Sequence, residues 1–355
     1  MSASLGRYEP LEGSNGATSK SDNPIEFTPP RKRRSSFWLL LCVMISSIII
    51  VLGAIAFVGF KGSSHSSVVK VCSDLSTRHE WRSLSQDEKR NYLLSVKCLK
   101  SKPSRLGFQN QSLYDDFPYL HSRQGEQTHY TAAFLSWHRW FIHLYEDALR
   151  NECDYNGYLP YWDWSLDWNN ISGSPVWDNE FGFGGNGNSS EDGFRGNCVT
   201  DGPFAWLEVL FIGDISVPHC LSRGFLEGDE LNKWTSQWQP SVIDGVLSTQ
   251  TYANFSLRLE DGPHLSLPHI IHGDYSVGSA PADPIFFLQH AQIDRLWWRW
   301  QQTDKTSRLK DYSGLGTDSN SQATLQDILD VDGLGPSMRV VDVIDTTGGN
   351  LCYQY

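Results

Sequence analysis

Apolar residues recur at intervals of three and four from Thr131 to Cys153, TAAFLSWHRWFIHLYEDALRNEC, which is the period of a helix with a buried face and predicts a long helix there. The period returns after Asp283-Pro284, where proline is tolerated at the first helical position, and runs through IFFLQHAQIDRLWWRWQQ. Ser85 followed three positions later by Glu88 has the pattern of a capping box and predicts a helix reaching about Lys100. Residues 169–202, rich in Gly, Asn and Ser with no sustained period, are expected to form a long loop pinned by Cys198, and Met338–Ile344 is a β-like run.

One stretch fits neither an amphipathic helix nor a strand. Phe37 to Phe60 runs 24 residues without a charge, apolar on every face, directly after the basic cluster Arg31–Arg34. That length crosses a hydrocarbon core of about 30 Å, and it exceeds the roughly 7–15 apolar residues of a cleaved signal peptide. A single transmembrane helix over 37–60 is therefore expected, with a disordered cytosolic tail (1–36) and everything after Lys61 lumenal or extracellular, in the secretory pathway. The remainder divides into a stalk (61–71), one mostly helical domain (72–310) and a C-terminal extension (311–355).

Cysteine and sequon placement agree with that orientation. Six cysteines follow the span (Cys72, Cys98, Cys153, Cys198, Cys220, Cys352), an even number suited to three disulfides whose pairing the sequence leaves open. Four N-x-S/T sequons, at Asn110, Asn170, Asn188 and Asn254, lie on the same side, as expected of a glycoprotein. The net charge of −12 is unevenly placed: the first 36 residues hold six basic and four acidic side chains, so the rest is more acidic still. Such a surface repels phosphate backbones, and no nucleic-acid partner is expected. Aromatic residues make up 13% of the chain, which excludes a disordered protein. The Trp residues at 137, 140, 162, 164, 297, 298 and 300 are expected to be core packing rather than a binding platform.

Histidine carries the candidate chemistry. Two groups, His121, His129, His138, His143 and His264, His269, His272, His290, each sit beside a strongly aromatic predicted helix. On one ideal helix His129 and His138 would project about 180° apart, so they share a ligand only if His129 lies in a turn before the helix. His264 and His290 must come from two facing helices, which implies a bundle with imidazoles turned inward. An all-imidazole set suits copper, zinc or iron, but no carboxylate joins it as in many iron sites, and no H-E-x-x-H string of a zinc hydrolase is present. His65 and His79 are expected to be solvated, and His143 and His219 to be structural.

The strings HYTAAFLSWHRWF (His129–Phe141), LPYWDW (Leu159–Trp164) and DPIFFLQHAQIDRLWWRWQ (Asp283–Gln301) together resemble the central domain of the tyrosinase and catechol oxidase family of type-3 copper proteins, over roughly residues 72–310. Short membrane-anchored relatives of this kind are fungal. The resemblance implies a mainly α fold: a helical bundle around a dinuclear copper site, with long loops, after a transmembrane helix. It implies two copper ions with dioxygen as co-substrate, and no catalytic group beyond the metal ligands. Carried over, the first copper takes His121 from the loop before the motif, His129 and His138. The second takes His290 and His264, and its remaining ligand is normally a histidine four residues on. Pro268 stands there, so His269 is the expected sixth ligand through a one-residue bulge, with His272 or loss of the ligand as the alternatives.

Three further departures bear on chemistry. Gln127 stands where many fungal relatives carry a cysteine crosslinked to a histidine, and Gln289 stands where a second, non-ligating histidine is common. Leu265 stands where monophenol hydroxylases often have an asparagine that orients a water. Asp294 and Arg295 are candidates to support ligand imidazoles, or else a helix ion pair. The expected activity is oxidation or hydroxylation of a phenolic substrate, whether o-diphenol, monophenol or tyrosine in a peptide or other natural product, to an o-quinone-type product. The alternative is a non-catalytic oxygen-binding or scaffold protein with an incomplete second copper site. The 54 residues after Gln301 are too few for a covering domain, so no latency is expected.

Overall fold

Ser85 opens the first helix with the capping box its sequence predicts. Its hydroxyl accepts from Glu88 N at 3.3 Å, and the Glu88 carboxylate accepts from Ser85 N at 2.7 Å, starting α1 (Gln86–Leu99). The computed structural model describes residues 72–355, Ser189 and Ser319 excepted. The expected tail, span and stalk (1–71) lie outside those residues, and among the described residues no helix is long and apolar enough to cross a membrane.

The same capping device starts α2 (Leu113–Thr128), with Ser112 and Asp115 as the reciprocal pair. After a four-residue turn comes α3 (Ala133–Cys153), which ends at Asp154 in the left-handed conformation. Every residue of α3 from Ala133 to Glu146 is buried, so this helix is central rather than amphipathic. Short helices α4 (Gly228–Thr235), α5 (Pro240–Leu247), α6 (Tyr252–Leu259) and α7 (Leu265–Ile271) lead to the second central helix, α8 (Ile285–Thr303), and to a last turn, α9 (Lys305–Arg308). α3 packs on α1, α2 and α8. The fold is mainly helical, as expected.

Strands are short and peripheral. Of these, β1 (Ser76–Thr77) pairs in parallel with β4 (Tyr353–Gln354), and β2 (Glu208–Ile212) with β3 (Ile215–Cys220) makes an antiparallel hairpin with a bulge between Val209 and Phe211. The β-like run at 338–344 is a strand only over Met338–Arg339. Arg339 then pairs with Asp342 at 2.8 Å and closes a 3-10 turn over Val340–Asp342.

The C-terminal segment joins the same core as the helices. Leu329, Val331, Leu334, Val343 and Tyr353 are buried in it together with residues of α3 and α8. Trp137, Trp140, Trp162, Trp164, Trp297 and Trp300 are buried there too, in keeping with their expected packing role, whereas Trp298 is only half-buried. The six cysteines form three disulfides, Cys72–Cys352, Cys98–Cys153 and Cys198–Cys220, the last pinning the 169–202 segment to β3.

Candidate metal centre

Helix phase and one turn place the first three imidazoles. His121 lies mid-way along α2 rather than in a loop, His129 is the C-cap of α2 with extended backbone, and His138 lies in the second turn of α3. Tyr130, in the left-handed conformation, turns the chain between the two helices. The result is the fold-back that the nine-residue spacing demands. One ring nitrogen from each of His121, His129 and His138 lies within 4.8 Å of the others, and His121 Nε2 and His138 Nε2 are 3.2 Å apart.

The outward nitrogens are held by backbone. His121 Nδ1 meets Gly278 O at 2.6 Å, His129 Nδ1 meets Gly125 O at 3.1 Å and His138 Nδ1 meets Phe134 O at 2.7 Å. A carbonyl partner requires the proton on Nδ1 and leaves the Nε2 lone pair for a metal. Burial pulls His121 down to about 3, helped by His129 and opposed by the Gly278 carbonyl. Burial also lowers His129, and burial with neighbouring imidazoles lowers His138 strongly. The three rings are thus neutral at physiological pH, the state a metal requires.

Two more imidazoles face this cluster. His290, in the second turn of α8, stacks on His138 with centroids 4.5 Å apart, and His264 lies 5.2 Å from His290 and 5.7 Å from His129. His264 is set by a wide π-helical turn, Glu260–His264, between α6 and α7, a device frequent at functional sites. His264 Nδ1 and both ring nitrogens of His290 are buried with no hydrogen-bond partner. Orphaned buried imidazole nitrogens on a lone-pair-rich face fit a metal. Burial and the surrounding imidazoles push both groups well below their ordinary value.

His269 is not brought to this cluster. It is exposed, with its ring stacked on Trp234 at 3.8 Å and 9°. From His264 a helix turns about 40° by the fourth residue and about 140° by the fifth, so Pro268 holds the inward place and His269 faces away. His272 is half-buried at the end of α7, with φ 54° and ψ −150°. His143 stacks on Trp140 and His219 bonds Asp274 at 2.6 Å, away from the cluster, while His79 is exposed. His65 lies outside the described residues.

Asp294 and Arg295 do not touch the imidazoles. Asp294 accepts from Arg139 Nε, Tyr353 Oη and Tyr355 Oη, and Arg295 pairs with Asp163 at 3.0 Å. The actual partners of the imidazoles, backbone carbonyls, leave no residue-type signal beyond the i−4 relation of His138 to Phe134 and of His129 to Gly125. Sequence reasoning also missed Glu260, whose carboxyl oxygens accept from Tyr130 N at 2.9 and 3.0 Å and so tie the His129 turn to the His264 turn. Its signal is the acidic pair Glu260-Asp261 just before Gly-Pro-His.

Comparison with known proteins gives a consistent family. A sequence model described as the common central domain of tyrosinase matches residues 111–303. The chain is 39% identical to the tyrosinase-like protein phomQ1 of Diaporthe leptostromiformis, over 94% of this chain and 92% of that one. It is 40% identical to the tyrosinase ustQ of Aspergillus flavus, over 83% of each. Among solved structures, a variant polyphenol oxidase from Thermothelomyces thermophila superposes with a TM-score of 0.70 at 31% identity, covering 79% of this chain and 88% of that one.

Proposed function

The chain belongs to the tyrosinase family and is an oxidoreductase of that type, a copper-dependent phenol oxidase using dioxygen, and from that premise we propose that it oxidises an o-diphenol or aminophenol to an o-quinone-type product. The observation that carries the reading is the neutral trio His121, His129 and His138, the first and last buried and His129 half-buried, with each outward nitrogen tied to a carbonyl. In this reading the trio holds one copper, and His264 and His290 turn toward the other. When bound, the copper pair supplies two-electron exchange between the phenolic ring and dioxygen, and the protein orients and encloses it.

The chain's own residues narrow the substrate. Leu265, directly after His264, offers no polar group to hold a water at that side of the site. That favours diphenol oxidation over hydroxylation of a monophenol, which needs its phenol deprotonated. A tyrosine-derived ring in a peptide or other natural product fits the same requirement. The three disulfides, the four sequon asparagines, all exposed, and the apolar run at 37–60 support a membrane-anchored enzyme whose catalytic domain lies in the secretory lumen or outside the cell.

His138→Ala tests the reading. It should lower bound copper and reduce catechol oxidation to background, while far-UV circular dichroism stays that of the natural protein. Unchanged oxidation would remove His138 from the ligand set.

A further inference from the structure

We propose that the two copper positions are unequal: three imidazoles hold the first, whereas only His264 and His290 hold the second, with Pro268 built into the helical place of a third ligand. The proposal rests on the dicopper reading above and goes beyond it. Among the described residues, only His121, His129 and His138 form a group of three or more metal-binding side chains. His264 and His290 carry the unpartnered nitrogens of the second position.

Pro268 fits its place rather than damaging it. A proline inside a helix has no N–H for the carbonyl four residues earlier, which here belongs to His264. Gln289 takes over that carbonyl, donating from Nε2 to His264 O at 3.0 Å, while its Oε1 accepts from Tyr275 Oη. Gln289 directly precedes His290, so its side chain ties the backbone of His264 to the helix turn that carries His290. The proline and the glutamine, each unusual by the family pattern, are two halves of one arrangement. His269, one residue on, is committed to its stack on Trp234 at the surface. The second position thus has its backbone satisfied and its protein ligand set complete at two, which makes its copper the weaker and more exchangeable ion.

The test uses the full-length chain, purified in mild detergent, stripped of metal and titrated with copper alone against chelators of graded strength. Copper per chain and the cupric electron paramagnetic resonance signal are read. Two classes of copper are expected, differing by more than the roughly 10- to 100-fold that losing even an outer partner of a ligand costs. His138→Ala should remove the tight class and His290→Ala the weak one. Pro268→His should bring the weak class toward the tight one, and Pro268→Ala, which restores the N–H without an imidazole, should not. Two equally tight coppers in the natural sequence would overturn the inference and leave the dicopper function standing. So would a folded Pro268→His, judged by its melting curve, whose second copper stays weak. Should that variant not fold, the His138 and His290 arms decide alone. A chain that binds no copper would overturn the functional reading with it.

Discussion

Glu260 is 1% exposed, and burial together with Asp261 raises its carboxyl to about 8, against the opposing hydrogen bond from Tyr130 N. The folded protein therefore keeps a proton that the unfolded chain releases near the ordinary value of 4.5. Between those two values the unfolded state binds fewer protons, so stability falls as pH rises across the window. Glu260→Gln should flatten that decline, read as the urea midpoint at a series of pH values; parallel slopes for the two proteins would show that the carboxyl ionises normally in the fold. Of the histidines the fold brings together, His121, His129, His138, His264 and His290 were legible as a cluster because residue type and motif both point to them. His269 was not, because a single residue of helical phase turns it toward Trp234, and a side-chain stack leaves no trace in spacing. The carbonyl partners of the imidazoles were invisible for a plainer reason: every residue has one.

Between elements, the three sequence motifs are cross-linked by charge. Arg139, next to His138 on α3, reaches Asp294 on α8, and Arg295 on α8 reaches Asp163 of the LPYWDW segment. Asp294 also meets Arg78 at 3.4 Å, and Arg78 pairs with Glu146. Removing one member of such a buried group leaves charge unpaired, at a cost of about 3–5 kcal/mol. Asp294→Asn should accordingly lower the melting temperature in scanning calorimetry without changing which histidines bind copper; an unaltered melting curve would show that the network carries little stability. α1, α3 and α8 were readable from their period and caps, with bounds that differ by a residue or two. α2 was not anticipated, although Ser112 with Asp115 is the same capping pattern as Ser85 with Glu88. Pro118 and Gly125 inside it lower its intrinsic propensity, and packing on α3 overrides them.

At the scale of the molecule, the Cys72–Cys352 bond spans 280 residues and brings the first described residue beside the last strand, whose Tyr353 docks on Asp294. Constraint of so long a loop makes the unfolded chain less favourable. Cys72→Ser with Cys352→Ser should cost about 2–5 kcal/mol by denaturant unfolding, and a loss below the error of the measurement would assign the C-terminal docking to packing alone. Neither this pairing nor the docking of 311–355 was legible, because both depend on contacts between distant positions. The bond also makes the described domain a covalent ring. A protease cut at the exposed Ser190 or Glu191 would leave two pieces, each with its own internal disulfide, still joined through residues 72 and 352. Such a nicked enzyme would migrate as one species until thiol is added, and the histidines on the two sides of the cut, His138 and His290, would stay on the same molecule.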